Sequence, residues 1–221
     1  MTKNLFIKPL ALAALLAIAG AAQATVTTYS TLASFTAATT GLGTDDFDDL
    51  DPSGPVNGPL DRSAGAHAYQ THVNHPTGGS TSFWPSNSGS DVWLSANASN
   101  GIIVFDHFGA DVRGVAGLFF GSNASGAFLA GQTIKLKLTD ADGVTEQTLT
   151  STTQSTFMGF VSNSAISSLS VERVFLGTSA WPTINNFNLA AVAAVPEPST
   201  YALMFAGLGL VGMMARRRKS V

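Results

Sequence analysis

The chain has 221 residues, a net charge of −3, 45% hydrophobic content, four histidines and no cysteine. The lack of cysteine excludes a disulfide framework, a thiol nucleophile and a Cys-ligated zinc. Between residues 25 and 195 five cations stand against thirteen carboxylates, a balance of −8, and a surface so poor in cations argues against nucleic acid or anionic lipid as a partner.

The chain opens MTKNLFIKPLALAALLAIAGAAQA. Lys3 and Lys8 form a positive n-region, residues 10–22 an apolar h-region, and Ala22 and Ala24 supply the small residues of a cleavage site. Residues 1–24 are therefore expected to be a signal peptide read by the general secretion machinery. A stretch of 13 residues would rise only ~20 Å as a helix, short of the ~30 Å hydrocarbon core that a retained span must cross.

Residues 25–190 are rich in Gly, Ser, Thr and Asn, with short apolar runs between turn signals, the pattern of an all-β domain. Strands are expected at 26–29, 46–50, 91–96, 102–108, 112–120, 133–139, 144–150, 156–161, 166–175 and 183–190. The clearest is TIKLKLT, where Ile134, Leu136 and Leu138 alternate with Lys135 and Lys137 to give one buried and one wet face. The turn Asp140-Ala141-Asp142-Gly143 then joins it to VTEQTLT as a hairpin. Leu32 and Phe35 have helical spacing behind Ser30, which predicts one short capped helix. Residues 52–89 read as loops with one or two edge strands. This many strands in one domain predicts an antiparallel two-sheet β-sandwich, jelly-roll-like.

Five aspartates, Asp45, Asp46, Asp48, Asp49 and Asp51, crowd seven residues. On a strand no single face would collect them, so a structural Ca²⁺ held by Asp46 and Asp48 would need oxygens from a second segment. A solvated acidic edge that resists strand pairing is the plainer account. Asp140 and Asp142 read as turn chemistry. His67, His72 and His75 fall in what reads as a polar loop, at spacings that match no zinc motif. His107, beside Asp106, reads as a packing residue on an apolar strand. Trp93, in DVWLSA, is expected in the core. Trp84 and Trp181 each precede a proline in loop-like sequence and are candidates for stacking on sugar rings, against the alternative that they close one end of the sandwich. No Gly-x-Ser-x-Gly, His-Glu-x-x-His or Gly-x-Gly-x-x-Gly following a strand is present, so no catalytic residue is assigned and no cofactor is called for. Asn97-Ala-Ser and Asn123-Ala-Ser match the N-glycosylation pattern.

The last segment reads VPEPSTYALMFAGLGLVGMMARRRKSV. Pro196 and Pro198 hold Val195 and Glu197 extended, so a helix cannot begin before Ser199. Residues 199–215 carry no charge and would span ~26 Å as a helix, enough to cross a bilayer at the short limit. Arg216, Arg217, Arg218 and Lys219 follow and stay cytoplasmic by the positive-inside rule, which leaves the sandwich on the far side.

This order of Val195, Pro196, Glu197 and Pro198, an apolar Gly-interrupted span and a basic terminus resembles the PEP-CTERM protein-sorting signal of Gram-negative bacteria. The resemblance implies recognition by an exosortase and removal of the tail at or near residues 196–198. It also implies association with exopolysaccharide or biofilm matrix. A second, looser likeness runs through "FDDL", "GVAGLFFG", "FMGFVS", "ISSLSVE" and "INNFNLA", which are similar to jelly-roll-like ectodomains that are joined to such tails. Many of those close on an Asp-Asn pair. Here Asn185-Asn186 stand instead, and any calcium role carried over loses a charge.

The expected organisation is thus a signal peptide (1–24), a sandwich ectodomain (25–190), a linker with the Pro-Glu-Pro motif (191–198), a transmembrane helix (199–215) and a basic cytoplasmic tail (216–221). The expected function is that of an exported structural or carbohydrate-binding component of exopolysaccharide matrix, passing through the inner membrane to the surface. The alternatives are a secreted hydrolase acting on polysaccharide, or a calcium-stabilised binding module.

Overall fold

A computed structural model of the chain describes residues 25–192 and 204–209. The order of elements is β1 (Val26–Tyr29), α1 (Leu32–Ala37), β2 (Thr40–Asp45), β3 (Leu60–Ala64), β4 (His67–Asn74), β5 (Phe83–Ser88), β6 (Asp91–Ala96), β7 (Ile102–Asp106), β8 (Gly114–Ser122), β9 (Phe128–Leu129), β10 (Gln132–Asp140), β11 (Gly143–Thr152), β12 (Phe157–Ser162), β13 (Ile166–Arg173) and β14 (Trp181–Ala191). Residues 204–209 are helical. Among the described residues no helix is long and apolar enough to cross a membrane. The expected signal peptide and its Ala22 and Ala24, the linker residues 193–198, most of the expected span and the basic tail lie outside the described residues.

The strands form two antiparallel sheets. The first runs β1-β12-β8-β14-β6-β5, with β2 also beside β14 and β9 beside β8. The second runs β11-β10-β13-β7-β4-β3. The sheets share one apolar core, as a sandwich requires. Ile134, Leu136 and Leu138 of β10 lie in it while Lys135 and Lys137 face out, the alternation expected of that strand. Phe105 of the second sheet stacks on Phe187 of the first at 4.2 Å between ring centroids.

β14 is the longest strand, and one bulge lets it serve three neighbours. Thr183 and Ile184 pair with β6, residues from Phe187 onward pair with β2, and β8 lies along the opposite side. Between them the register slips at Asn185–Asn188, and Asn186 adopts φ +50°, a left-handed conformation in which asparagine is tolerated. The extra residue lets both Ile184 and Phe187 face the core. Asn185-Asn186 therefore has a backbone role in this fold.

Part of the outer face of the first sheet, around Ala116 and Ala190, is covered by α1. Thr31, one residue beyond the expected Ser30, caps it by accepting from the Ser34 N–H at 3.2 Å. Phe35, fully buried, packs with Ala116 and Ala190, and meets Tyr29 and Phe157 edge-on at 6.3 and 6.2 Å. Gly159 makes room for its ring, since a Cβ there would sit 2.7 Å from Phe35 Cδ2.

Two expectations are corrected. Residues 46–50 are not a strand. Asp45, Asp46 and Asp51 each use Oδ1 to accept the N–H two residues on, from Phe47, Asp48 and Ser53, and Phe47 takes φ +64°, so the acidic run is a series of Asx turns. Residues 52–89 hold three strands, two of them the β3–β4 hairpin. Tyr69, Thr71 and Val73 are buried and alternate with more exposed residues along β4, but the Gly, Ser and His composition around them masks the period.

Replacing Gly159 with Ala is expected to cost about 1–3 kcal/mol by overpacking, and Phe35→Ala about 3–5 kcal/mol. The double variant should lose less than the sum, because the clash vanishes with the ring. Denaturant midpoints of the four proteins check this, and strict additivity would contradict the packing.

Candidate functional site

The three tryptophans stand on one face. Trp84 of β5 lies opposite Ser95 of β6, and Ser95 lies opposite Thr183 of β14. Opposed residues of a ladder share a face, as do residues two apart. Trp93, two before Ser95, and Trp181, two before Thr183, therefore join Trp84 on the outer face, in the part that α1 leaves uncovered. Trp93 is buried there, apart from the inter-sheet core. It meets Phe120 edge-on at 5.6 Å, and its Nε1 donates to the Gly126 carbonyl at 3.0 Å. The loop 123–127 is thereby held over it.

Trp84 and Trp181, placed in loop-like sequence by their neighbours, are instead on strands, and both are half-buried. They line one shallow cleft of about 10 Å³ with Ser95, Asn97, Ser122, Asn123 and Gly126. Its floor is a hydroxyl triad. Ser95 and Thr183 are 2.8 Å apart, Thr183 and Ser122 2.9 Å, and Ser95 and Ser122 3.1 Å, all buried. The walls are fixed too, since Asn97 Nδ2 donates to Ser82 Oγ at 3.0 Å and Asn123 Oδ1 accepts from the Ser125 N–H at 3.0 Å. No ionisable side chain lines the cleft. In the sequence Asn97 and Asn123 stand out only as matches to the N-glycosylation pattern, because nothing local links them to residues 84 and 181.

A second polar site lies where β2 and β3 bring the edges of the two sheets together. Arg62 donates through Nε to Asp45 Oδ2 and through Nη2 to Asp45 Oδ1, both at 2.7 Å, and through Nη2 to Asp49 Oδ1 at 2.6 Å. Tyr69 Oη donates to Asp45 Oδ2 at 2.7 Å, and the guanidinium lies 5.2 Å from the centre of the Phe47 ring. Burial works against the charge of Arg62, but the two carboxylates outweigh it and hold the group above the ordinary arginine value. Burial, then the Asp45 charge, pushes the Tyr69 phenol up. The hydrogen bond from Arg62 holds the Asp49 carboxyl below the usual carboxylate range. These residues, with Asp46, Asp61, Gln70 and His107, border an open hollow of about 790 Å³.

The remaining sequence candidates are spread out. Asp46 faces its own turn, and Asp48 Oδ1 accepts from the Val92 N–H at 2.7 Å, tying the turn to β6. Among the described residues no group of three or more His, Asp or Glu is placed to hold a metal ion. His67 and His72 sit on β4 rather than in a loop, and His67 Nε2 lies 2.8 Å from the Gly41 carbonyl. His107 is not a packing residue. It lies past the end of β7 at φ +54°, with its side chain 70% exposed and Nδ1 2.7 Å from Asp106. Asp140 accepts from the Asp142 N–H as turn chemistry predicts, and its other oxygen accepts from Ser162. Asn185 Nδ2 donates to Asp91 at 2.9 Å.

Removing Arg62 should strand the Asp45 carboxylate, 4% exposed, at a cost of about 3–5 kcal/mol for Arg62→Ala. Asp49 is 69% exposed, so Asp49→Asn should cost under about 1 kcal/mol. Because the folded Asp49 value is lowered, its share of stability is present above the unfolded value of about 3.9 and is lost as pH falls through the folded one. Urea midpoints measured down to pH 2 should therefore separate Asp49→Asn from the parent near neutrality and bring them together in acid.

Residues 194–219 match the family described as the PEP-CTERM protein-sorting motif. The motif implies an exported protein that is presented to exosortase and destined for the cell surface or beyond. Among curated proteins, none matches the chain. Solved structures resemble it, two of them from Clostridium perfringens. One is the M60 catalytic domain with the CBM51-1 and CBM51-2 domains from Clostridium perfringens ZmpB, at 17% identity and a TM-score of 0.33, over 68% of this chain. This chain spans 15% of that one. The other is CBM51 from Clostridium perfringens GH95 in complex with methyl-galactose, at 14% identity and a TM-score of 0.32, over 66% of this chain and 99% of that one.

Proposed function

We propose that this exported, exosortase-directed chain is a non-catalytic component of the extracellular polysaccharide matrix, and that polysaccharide lies across the rim of the cleft, where Trp84 and Trp181 are partly exposed, rather than inside it, where there is room for about one water. The observation that carries the reading is the convergence of those two side chains, 97 positions apart in sequence, on one uncovered stretch of sheet. Indole rings offer large apolar faces at little entropic cost. They stack on the C–H faces of a sugar, while the Asn97 and Asn123 amides line the same cleft to meet hydroxyls. The floor hydroxyls already bond to one another, so the cleft loses little freedom when a ligand settles.

The pair of carboxylates at the centre of the polar hollow favours a structural reading of it over a hydrolytic one. A glycosidase needs two carboxyl groups with different protonation states, whereas Asp45 and Asp49 are both engaged by one guanidinium. The hydrogen bond from Arg62 holds the Asp49 carboxyl below the usual carboxylate range, which suits a structural clamp.

Trp181→Ala and Trp84→Ala are each expected to weaken retention on the producing organism's own polysaccharide about tenfold, equivalent to about 1.4 kcal/mol, measured well below the melting temperature of each variant, which the loss of half-buried rings will lower. Retention that is equal for parent and both variants would end the proposal. The sorting half is tested by the mass of the mature protein. A C-terminus at or near residues 196–198 is expected, and a tryptic peptide extending past Glu197 in most molecules would refute processing.

A further inference from the structure

The ends of the two sheets are not equally protected. β1 and β5 close the first sheet, β1 with four residues and β5 with Pro85 inside it. β3 closes the second with five residues that include Asp61 and Arg62. Shortness, proline and charge are the devices that keep an open strand from pairing with another chain. β11, at the other end of the second sheet, has none of these in strength. It is ten residues long, GVTEQTLTST, without proline or lysine and with Glu146 as its one charge.

The hairpin fixes which of its groups are free. Asp140 faces Gly143 across a two-residue turn, so Gly143, Thr145, Gln147 and Leu149 turn their backbone toward β10, and Val144, Glu146, Thr148 and Thr150 turn theirs outward. Past Thr150 the ladder slips, and Ser151 takes φ +53°. The usable edge is therefore 144–150, and it carries Val144, 57% exposed.

We infer that β11 is a self-association edge, where a second copy of this chain adds antiparallel with the two-fold axis at Gln147. Outward residues must oppose outward residues, which leaves a few registers. An axis at Glu146 sets two carboxylates directly opposite, which is destabilising. An axis at Thr148 runs the pairing into the slip. The axis at Gln147 places Glu146 opposite Thr148 and Val144 opposite Thr150, uses the whole edge and opposes no like charges. It joins two six-stranded sheets into one, and such an isologous contact closes as a dimer.

The chain has no cysteine, so single cysteines report the register directly. In this pairing Gln147 meets its mate as a non-hydrogen-bonded pair, about 4.5 Å between Cα atoms, within disulfide range. Thr145 and its mate are four positions out of register, roughly 14 Å apart. Under mild oxidation the full-length Gln147→Cys protein should form covalent dimer at least tenfold faster than Thr145→Cys at equal concentration. Adding Thr148→Glu, which sets a carboxylate opposite Glu146, should slow it about tenfold, and Thr148→Lys should speed it. Residue 148 is exposed and faces Lys135 across the hairpin, so the Lys variant carries a small cost within the chain, and the comparison is made on proteins whose circular dichroism matches the parent. Equal rates for positions 145 and 147, or indifference to the charge at 148, would overturn the inference.

Discussion

The contact on which the sandwich most depends is the salt bridge of Arg62 with Asp45. Through the core the two sheets meet by apolar side chains, with single hydrogen bonds such as Ser162 to Asp140 at the margins. Between Arg62 and Asp45 a planar guanidinium meets a carboxylate through two parallel hydrogen bonds of 2.7 Å, which sets the distance between β2 and β3 and the orientation of both. The backbone follows the same demand, since a Cβ on Gly43 of β2 would sit 2.0 Å from the Ala64 carbonyl oxygen of β3. A buried pair of this kind gives register more surely than it gives stability. Tyr69 and Phe47 surround it, one donating to the carboxylate and one shielding the cation, so a seam between sheets becomes a fixed joint.

With that joint in place, the outer face of the first sheet acquires two different parts. The bulge at Asn186 lets β14 exchange β6 for β2. On one side α1 seats Phe35 over glycine and alanine. On the other, bulky aromatics lie under a thin loop or at the rim of a cleft. The cleft is thus a by-product of where the helix stops, and its rigidity comes from hydroxyls already satisfied in its floor.

Much of the architecture was legible where burial is one-sided. The alternation in TIKLKLT and the two-residue turn after it define β10 and β11 unambiguously, and Leu32 with Phe35 mark the helix. The acidic run was misread because an aspartate that bonds to its own backbone looks, in composition, like one that faces water. The β3–β4 hairpin was hidden because Tyr69 and Thr71 alternate amid glycine and histidine. The tryptophans could be singled out as chemistry, yet their meeting could not be foreseen. It arises from strand order, and nothing local to residues 84 or 181 encodes that they are separated by only one strand.

β14 is the last strand of the sandwich and lies inside the first sheet, with β8 on one flank and β6 and β2 on the other. Until residues 181–191 are in hand, that sheet is three pieces: β1-β12-β8 with β9, β6-β5, and β2 alone. Contacts so distant along the polypeptide form slowly. The second sheet holds no part of β14 and can pair without it, so the topology ties completion of the first sheet alone to the arrival of its final strand.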